Sequence, residues 1–407
     1  MSASIDPQPA PPHFALRVSG FFAGYFTVYG VVLPFFPVWL ASRGLSEVEI
    51  GSLIAIPLAV RVLLTPFSGA IADALPNRRF AVILFTLPAP FVFALAWPHA
   101  DYLPLLVFTG IANTVWSLAL PAGEALALTG VRRFGIDYAR MRLWGSVSFI
   151  SANLAAGALL VLLPGEAIFW FIVAVYVLSA ATAFFLPVTP RAVRALDDAL
   201  KAQRRPAWFA LGRPSFLLLI LAAGLVSSSH AAFFSFGSIY WQKLGFSSLE
   251  IGGFWSVSIV GEIAFFVFGA AIHRRLGALG LLALGAVAAM ARWTAMSFDI
   301  GVVGFVGTQA LHAFTFAAAF LGTQYAVSRA VPEAYAASAQ GMVVMVGGLL
   351  QSALTALAGP LFAALGGHAF LFMVAPPALS LVILLLLRRM PLDGEGTNEK
   401  GATEAAP

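Results

Sequence analysis

The chain has 407 residues, of which 60% are hydrophobic, 10% are charged and none is cysteine, and its formal net charge is +5. Soluble proteins average about half apolar and about a quarter charged, so this composition excludes a soluble globule, and the absence of cysteine excludes disulfides, thiolate nucleophiles and cysteine metal sites. The mean hydropathy of +0.91 comes from apolar runs that recur along the whole chain, and its length accommodates about twelve membrane helices of roughly 20 to 25 residues with no room for a folded soluble domain.

Residues 1–13 are polar and proline-rich, with no basic stretch ahead of the first apolar run. They read as a disordered cytoplasmic N-terminus, and the first helix as an anchor that is retained. Apolar runs between Gly, Pro and charge clusters then predict helices at 14–40, 48–72, 80–97, 103–129, 139–163, 167–187, 215–241, 250–272, 279–297, 302–329, 339–363 and 368–387. The polar stretch 188–214, rich in Arg and Lys, reads as a cytoplasmic central loop. It separates an N-terminal six-helix half, 14–187, from a C-terminal half, 215–389, and residues 390–407 read as a disordered cytoplasmic tail. The expected fold is an all-α membrane protein of twelve transmembrane helices in two pseudo-symmetric halves.

With the N-terminus placed in the cytoplasm, nineteen of the 23 basic residues fall on the cytoplasmic side and only Arg43 and Lys243 on the other, leaving Arg61 and Arg292 inside helices. That asymmetry follows the positive-inside rule and puts both termini in the cytoplasm. It also explains the net positive charge without a nucleic-acid partner.

An internal repeat supports the two halves. Gly44-Leu-Ser-Glu-Val-Glu-Ile-Gly51 and Gly245-Phe-Ser-Ser-Leu-Glu-Ile-Gly252 match at five of eight positions with an offset of 201. Each segment precedes the second helix of its half, where the Ser and the Glu three residues later also read as a helix-capping box.

Charges inside the bilayer are costly and mark sites by default. Arg61 lies ten residues after Gly51 and Glu262 ten after Gly252, which puts each about 15 Å into its helix. Glu124 and Arg142 lie equally far from the turn at Arg133, so a hairpin would pair them, either as a binding pair or as a static clamp. Arg292 and His312 are symmetric about Val302 in the same way. His312 reads either as a member of the site or as a neutral ring bonded to Thr308, one turn earlier. Glu262 has no basic residue near it in the sequence, which favours a titrating role. His230, among Ser227, Ser228 and Ser229, reads as an ordinary polar packing residue. Tyr25, Tyr29, Phe36, Phe233, Phe236, Tyr240 and Trp241 line the first helix of each half, and Tyr29, Phe236 and Tyr240 are the candidates to stack on a ligand ring.

From residue 14 to 389 the chain resembles the major facilitator superfamily, in the branch that holds the lactose and phenylpropionate permeases. Gly69-x-x-x-Asp73 followed by Arg78-Arg79 resembles the superfamily's loop signature, which implies a gating role for Asp73, Arg78 and Arg79. Arg140-Met-Arg142-Leu-Trp-Gly145-Ser, with Glu124 eighteen residues before Arg142, is similar to the lactose permease segment that binds substrate. Glu262, Arg292 and His312 fall where that permease carries its Glu, Arg and His for binding and proton coupling. The sequence departs from it at Thr315, where the lactose permease has a carboxylate. His312-x-x-Thr315, Ile239-Tyr240-Trp241-Gln242, Ala291-Arg292-Trp293 and Leu33-Pro34-Phe35-Phe36 instead resemble the phenylpropionate permease. Without the carboxylate at 315, Glu262 is the first candidate for the proton carrier, with His312 beside it, and Glu124 the second.

The resemblance implies a proton-coupled symporter of the bacterial inner membrane, monomeric, surrounded by lipid and needing no cofactor or metal. No Gly-rich loop ending in Gly-Lys-Ser/Thr occurs, so an ion gradient rather than ATP is the expected energy source. A membrane enzyme is disfavoured because His99 with Asp101 is the only suggestive pair in the short outward loops. A channel is disfavoured because the polar residues gather at one depth. Three midplane Arg against two Glu leave one positive charge, which suits a monocarboxylate. With the aromatic helices and the resemblance to the phenylpropionate branch, an aromatic acid such as 3-phenylpropionate is the first expectation and a sugar or nucleoside the alternative, with Arg292 ranked ahead of Arg61 as the carboxylate's partner.

Overall fold

The computed structural model describes residues 10–189, 211–332 and 335–390. Residues 1–9, most of the central connection and the tail beyond residue 390 lie outside the described residues, as does the side chain of Asp73. Among the described residues there is no strand. In chain order the α-helices are α1 Phe14–Ser42, α2 Glu47–Ala74, α3 Arg78–Thr86, α4 Pro88–Ala94, α5 Tyr102–Ser117, α6 Ala119–Phe134, α7 Tyr138–Leu162 and α8 Ala167–Phe184. They continue as α9 Pro214–Ser228, α10 Ala231–Lys243, α11 Ser248–Met296, α12 Gly301–Ala310, α13 Ala319–Ala330, α14 Ala336–Leu365 and α15 Ala375–Leu387. A π-helix, Ala313–Ala318, joins α12 to α13, and a 3-10 segment, Gly366–Val374, joins α14 to α15.

Nine continuous helical segments among the described residues are long and apolar enough to cross a membrane. Two of them run for 49 and 50 residues, and at about 1.5 Å per residue each is long enough to cross twice. The first, α11, breaks at Gly277, whose φ of 69° lies outside the helical region. The single helix expected at 80–97 is replaced by α3 and α4, because Pro88 has no N–H to continue the ladder, although Leu87 keeps helical angles. Large apolar side chains such as Leu162, Val267 and Val303 are exposed, as befits a lipid-facing surface.

Packing groups the described residues into two compact units: unit 1 falls within Met1–Ala192, Phe233–Ser256 and Thr355–Gly366, and unit 2 within Val193–Ala232, Val257–Leu354 and Gly367–Pro407. This division by packing differs from the division by repeat, since it assigns residues 233–256 and 355–366 to unit 1. In unit 1, α1 runs along α7 and α8. The approach is close enough that a Cβ on Gly30 would come within 2.5 Å of the Phe149 carbonyl. In unit 2, α9 packs on α13 and α15 around Phe216, Leu219, Leu282, Ala326 and Leu384.

Each matching position of the internal repeat has a local reason. Gly44 and Gly245 close the preceding helices with φ of 86° and 91°, a region that disfavours any side chain. Ser46 accepts from the Glu49 amide at 3.3 Å while Glu49 accepts from the Ser46 amide at 2.8 Å, and Ser247 with Glu250 repeats the box at the same distances. Ile50 and Ile251 are buried. Gly51 and Gly252 end the motif where helices cross closely: a Cβ on Gly51 would lie 3.0 Å from the Gly359 Cα, and one on Gly252 3.1 Å from the Asn153 carbonyl.

Candidate functional site

Three constellations of polar side chains stand inside the apolar helices, two in unit 1 and one in unit 2. The first surrounds a small open cleft in unit 1 with a volume of about 140 Å³. Helical spacing builds its wall. Tyr29, Leu33 and Phe36 of α1, Leu53, Pro57 and Arg61 of α2, and Asn113, Trp116 and Ser117 of α5 line it in three stripes, with Phe234 of α10 against them. The Trp116 ring lies flat on Tyr25 at 4.1 Å between centroids, and Tyr29 meets it edge-on at 5.0 Å. Arg61 Nη1 donates to the Tyr29 hydroxyl at 3.2 Å, and its guanidinium forms no ion pair among the described residues. The cleft thus offers a mostly aromatic and aliphatic wall and one cation with donors to spare.

The second constellation, also in unit 1, joins Glu124 of α6 to Arg142 of α7 at 3.7 Å. Tyr138, one turn before Arg142, donates to the other Glu124 oxygen at 2.6 Å. The Arg142 guanidinium lies 3.8 Å from the centroid of the Phe26 ring, a cation–π contact that holds it flat. A Cβ on Gly145 would come within 2.7 Å of Arg142 Nη1, so the glycine leaves room for that pose. Neither Glu124 nor Arg142 is among the residues that line the cleft.

The third lies in unit 2, where the helices are irregular. α9 and α10 are interrupted at Ser229 and His230, and the π-helix begins just after His312. Such discontinuities free backbone groups and widen the turn, and they recur at functional sites. Arg292 is fully buried. It donates to His312 Nδ1 at 2.9 Å, to the Thr315 hydroxyl at 3.2 Å and to Gln309 Oε1 at 2.7 Å. Because Arg has no acceptor, His312 Nδ1 must accept, and the neutral ring carries its proton on Nε2. That nitrogen faces Glu262 Oε2 at 4.0 Å. His230 Nδ1 faces the Ser227 carbonyl at 3.0 Å and must donate, so its Nε2 accepts from Thr315 at 3.1 Å. Ser258 adds a donor to Gln309 Oε1 at 2.9 Å.

The residues singled out from sequence fall into three local groups. Arg61 and Tyr29 share the cleft, Glu124 meets Arg142, and Glu262, His312 and Arg292 form a chain. Phe236 is stacked on Phe362 at 4.7 Å and Tyr240 is buried, and neither lines the cleft. Arg78 donates to the Thr129 hydroxyl at 2.8 Å and Arg79 is half-buried. Asp73 falls outside the described side chains. One reading needs correction: His312 does not bond Thr308, whose hydroxyl turns back to the Phe305 carbonyl at 2.8 Å. His230 packs as a polar residue with both its nitrogens on partners. Asn113, Tyr138 and Gln309 escaped the sequence reading because they carry no charge. A polar residue one turn from a midplane charge is the signal for Tyr138 and Gln309.

Comparison with known proteins gives a consistent result. The model of the MFS_1 like family matches residues 15–374. The probable 3-phenylpropionic acid transporter of Escherichia coli is 31% identical over 375 residues, covering 89% of this chain and 95% of the relative. The maltose permease of Geobacillus stearothermophilus is 29% identical over 67% of this chain and 68% of its own length. Among solved structures, the nucleoside transporter NupG superposes with a TM-score of 0.76 at 15% identity, covering 93% of this chain and 98% of that one, a likeness of fold alone. The chain belongs to the MFS_1 like family and is an integral membrane transporter of small molecules, not an enzyme.

Proposed function

We propose that this transporter imports an aromatic monocarboxylate of the 3-phenylpropionate kind together with protons, across a bacterial inner membrane and with both termini in the cytoplasm. The observation that carries the substrate is the unit 1 cleft, where aromatic rings and a single cation face the same space. A phenyl ring fits the Tyr29 and Trp116 wall by offset or edge stacking. A carboxylate fits Arg61, whose planar fork donates to two oxygens at once. Arg61 is the better partner than Arg292, because the Arg292 fork already donates to Gln309, His312 and Thr315. A relative 31% identical over 89% of this chain is a probable transporter of 3-phenylpropionic acid, which supports the same class.

For coupling, the chain from Glu262 through the His312 ring to Arg292 supplies a carboxylate beside a polarised imidazole. Protonating Glu262 removes a charge inside the bilayer and frees His312 Nε2–H to turn elsewhere, so the proton changes the arrangement it joins. The test is uptake of labelled 3-phenylpropionate into proteoliposomes of the purified chain under an imposed pH gradient. Uphill uptake, collapsed by a protonophore and competed by unlabelled acid, is expected. Competition by uridine, maltose or lactose instead, with no effect of the aromatic acid, would replace the substrate. Uptake indifferent to the protonophore would remove the coupling.

A further inference from the structure

The hydrogen bonds around the unit 1 cleft can be followed in direction, and they leave donors over. Arg61 spends one N–H on Tyr29, leaving most of its five. The Thr114 hydroxyl is turned to the Pro57 carbonyl at 3.3 Å and the Ser117 hydroxyl to the Thr114 carbonyl at 2.7 Å. Asn113 is held from both ends. Its Nδ2 lies 2.9 Å from the Thr109 carbonyl, which can only accept, so the amide orientation is settled. Its Oδ1 then faces the Tyr176 hydroxyl at 2.6 Å and accepts from it. One N–H is then the amide's remaining donor.

Tyr176 is fully buried on α8, and its bond is one of two rungs between α5 and α8. The other runs from the Trp116 indole nitrogen to the Ser179 hydroxyl at 3.1 Å. Both rungs span 63 residues and lie three residues apart on each helix, so they hold one face of α5 in register. The same zipper that presents the Trp116 ring presents the Asn113 amide.

We infer that Asn113 is a specificity-determining residue, its remaining N–H forming with Arg61 a two-armed site for the substrate carboxylate, and that Tyr176 is the positioning residue that keeps that N–H available. This rests on the reading of the cleft as the aromatic-acid site. An amide whose carbonyl were free would welcome a donor such as a hydroxyl or a neutral amide; turning the carbonyl to Tyr176 selects an acceptor. Ionised acid is thereby preferred over its neutral amide by more than Arg61 alone provides.

The experiment measures binding of 3-phenylpropionate and of 3-phenylpropionamide to the full chain in lipid nanodiscs, for the wild type and for Asn113→Leu, Asn113→Asp, Tyr176→Phe and Arg61→Gln. Asn113→Leu is expected to weaken the acid about tenfold and the amide about threefold or less, since hydrogen bonds to charged groups are the stronger. Asn113→Asp keeps the size and the Tyr176 bond but adds a negative charge, and should weaken the acid about a hundredfold while sparing the amide. Tyr176→Phe should lower the acid-to-amide ratio several-fold, a change of selectivity that a purely structural tyrosine would not produce. Equal losses for acid and amide in Asn113→Asp, or an unaltered ratio in that variant while Arg61→Gln abolishes acid binding, would overturn the role of Asn113 and leave the aromatic-acid reading standing. A wild type that binds neither ligand would overturn that reading and this inference with it.

Discussion

Arg61 and Arg292 are the same residue in the middle of two apolar helices, yet their surroundings differ in kind. Arg61 is half-buried on the wall of a cleft with one side-chain hydrogen bond, to Tyr29. Arg292 is fully buried and donates to Gln309, His312 and Thr315. The cost of an intramembrane charge explains why both need a purpose, but not which purpose. The deciding quantity is unused hydrogen-bonding capacity: a guanidinium whose donors are taken organises the protein, and one with donors to spare can meet a ligand.

Replacing the two arginines sharpens this contrast most. Arg61→Gln should weaken 3-phenylpropionate binding about a hundredfold with little change in melting temperature, through the loss of charge-assisted bonds. Arg292→Met should lower stability by roughly 3 kcal/mol, because Gln309, His312 and Thr315 lose a buried partner together. Binding isotherms and thermal melts of both variants check it, and a destabilised Arg61→Gln beside a stable Arg292→Met would break the comparison.

Glu262 tests the unit 2 side functionally. Glu262→Gln should reduce proton-driven accumulation to the equilibrium level while counterflow exchange persists, as expected for a residue that carries the proton rather than the substrate. A Gln variant that still concentrates substrate moves the carrier elsewhere, with Glu124 next.

The Glu124 and Arg142 pair is intermediate between the two arginines, since both side chains keep about a third of their exposure. Each neutral substitution should cost several-fold in substrate affinity, and a double-mutant cycle should show a coupling of about 1 kcal/mol. Strictly additive losses would mean that the pair does not act as one. The smallest effect is expected at Thr315. Thr315→Val keeps the shape but removes the bond to His230 and one acceptor of Arg292, which should cost about 1 kcal/mol of stability and leave substrate affinity unchanged. A large loss of affinity in that variant would bring the unit 2 network into the binding site.

The helices were largely legible beforehand, because apolar length is a property of consecutive residues. The matching positions of the internal repeat were legible for the same reason: a capping box and a helix-ending glycine are local devices. The pairing of Glu124 with Arg142 could be anticipated from hairpin symmetry, since two helices joined by a short turn place equidistant residues side by side. The same symmetry argument put Arg292 beside His312. The sequence ranked Arg292 ahead of Arg61, and the hydrogen bonds that favour the reverse order come from Gln309, Thr315 and Tyr29, uncharged partners that counting charges leaves out.

Composition, helical length and the spacing of charges along the chain were enough to determine a membrane protein of the helical class, the positions of its buried charges and the family they resemble. The tertiary structure alone decided which faces those charges share. A helix turns about 100° per residue, so the interruption at His230 and the π-turn after His312 re-aim the side chains that follow. Asn113 enters the cleft wall only because Tyr176 and Ser179, 63 residues away, hold α5 in register. Partners that distant are chosen by packing, and no local pattern encodes them.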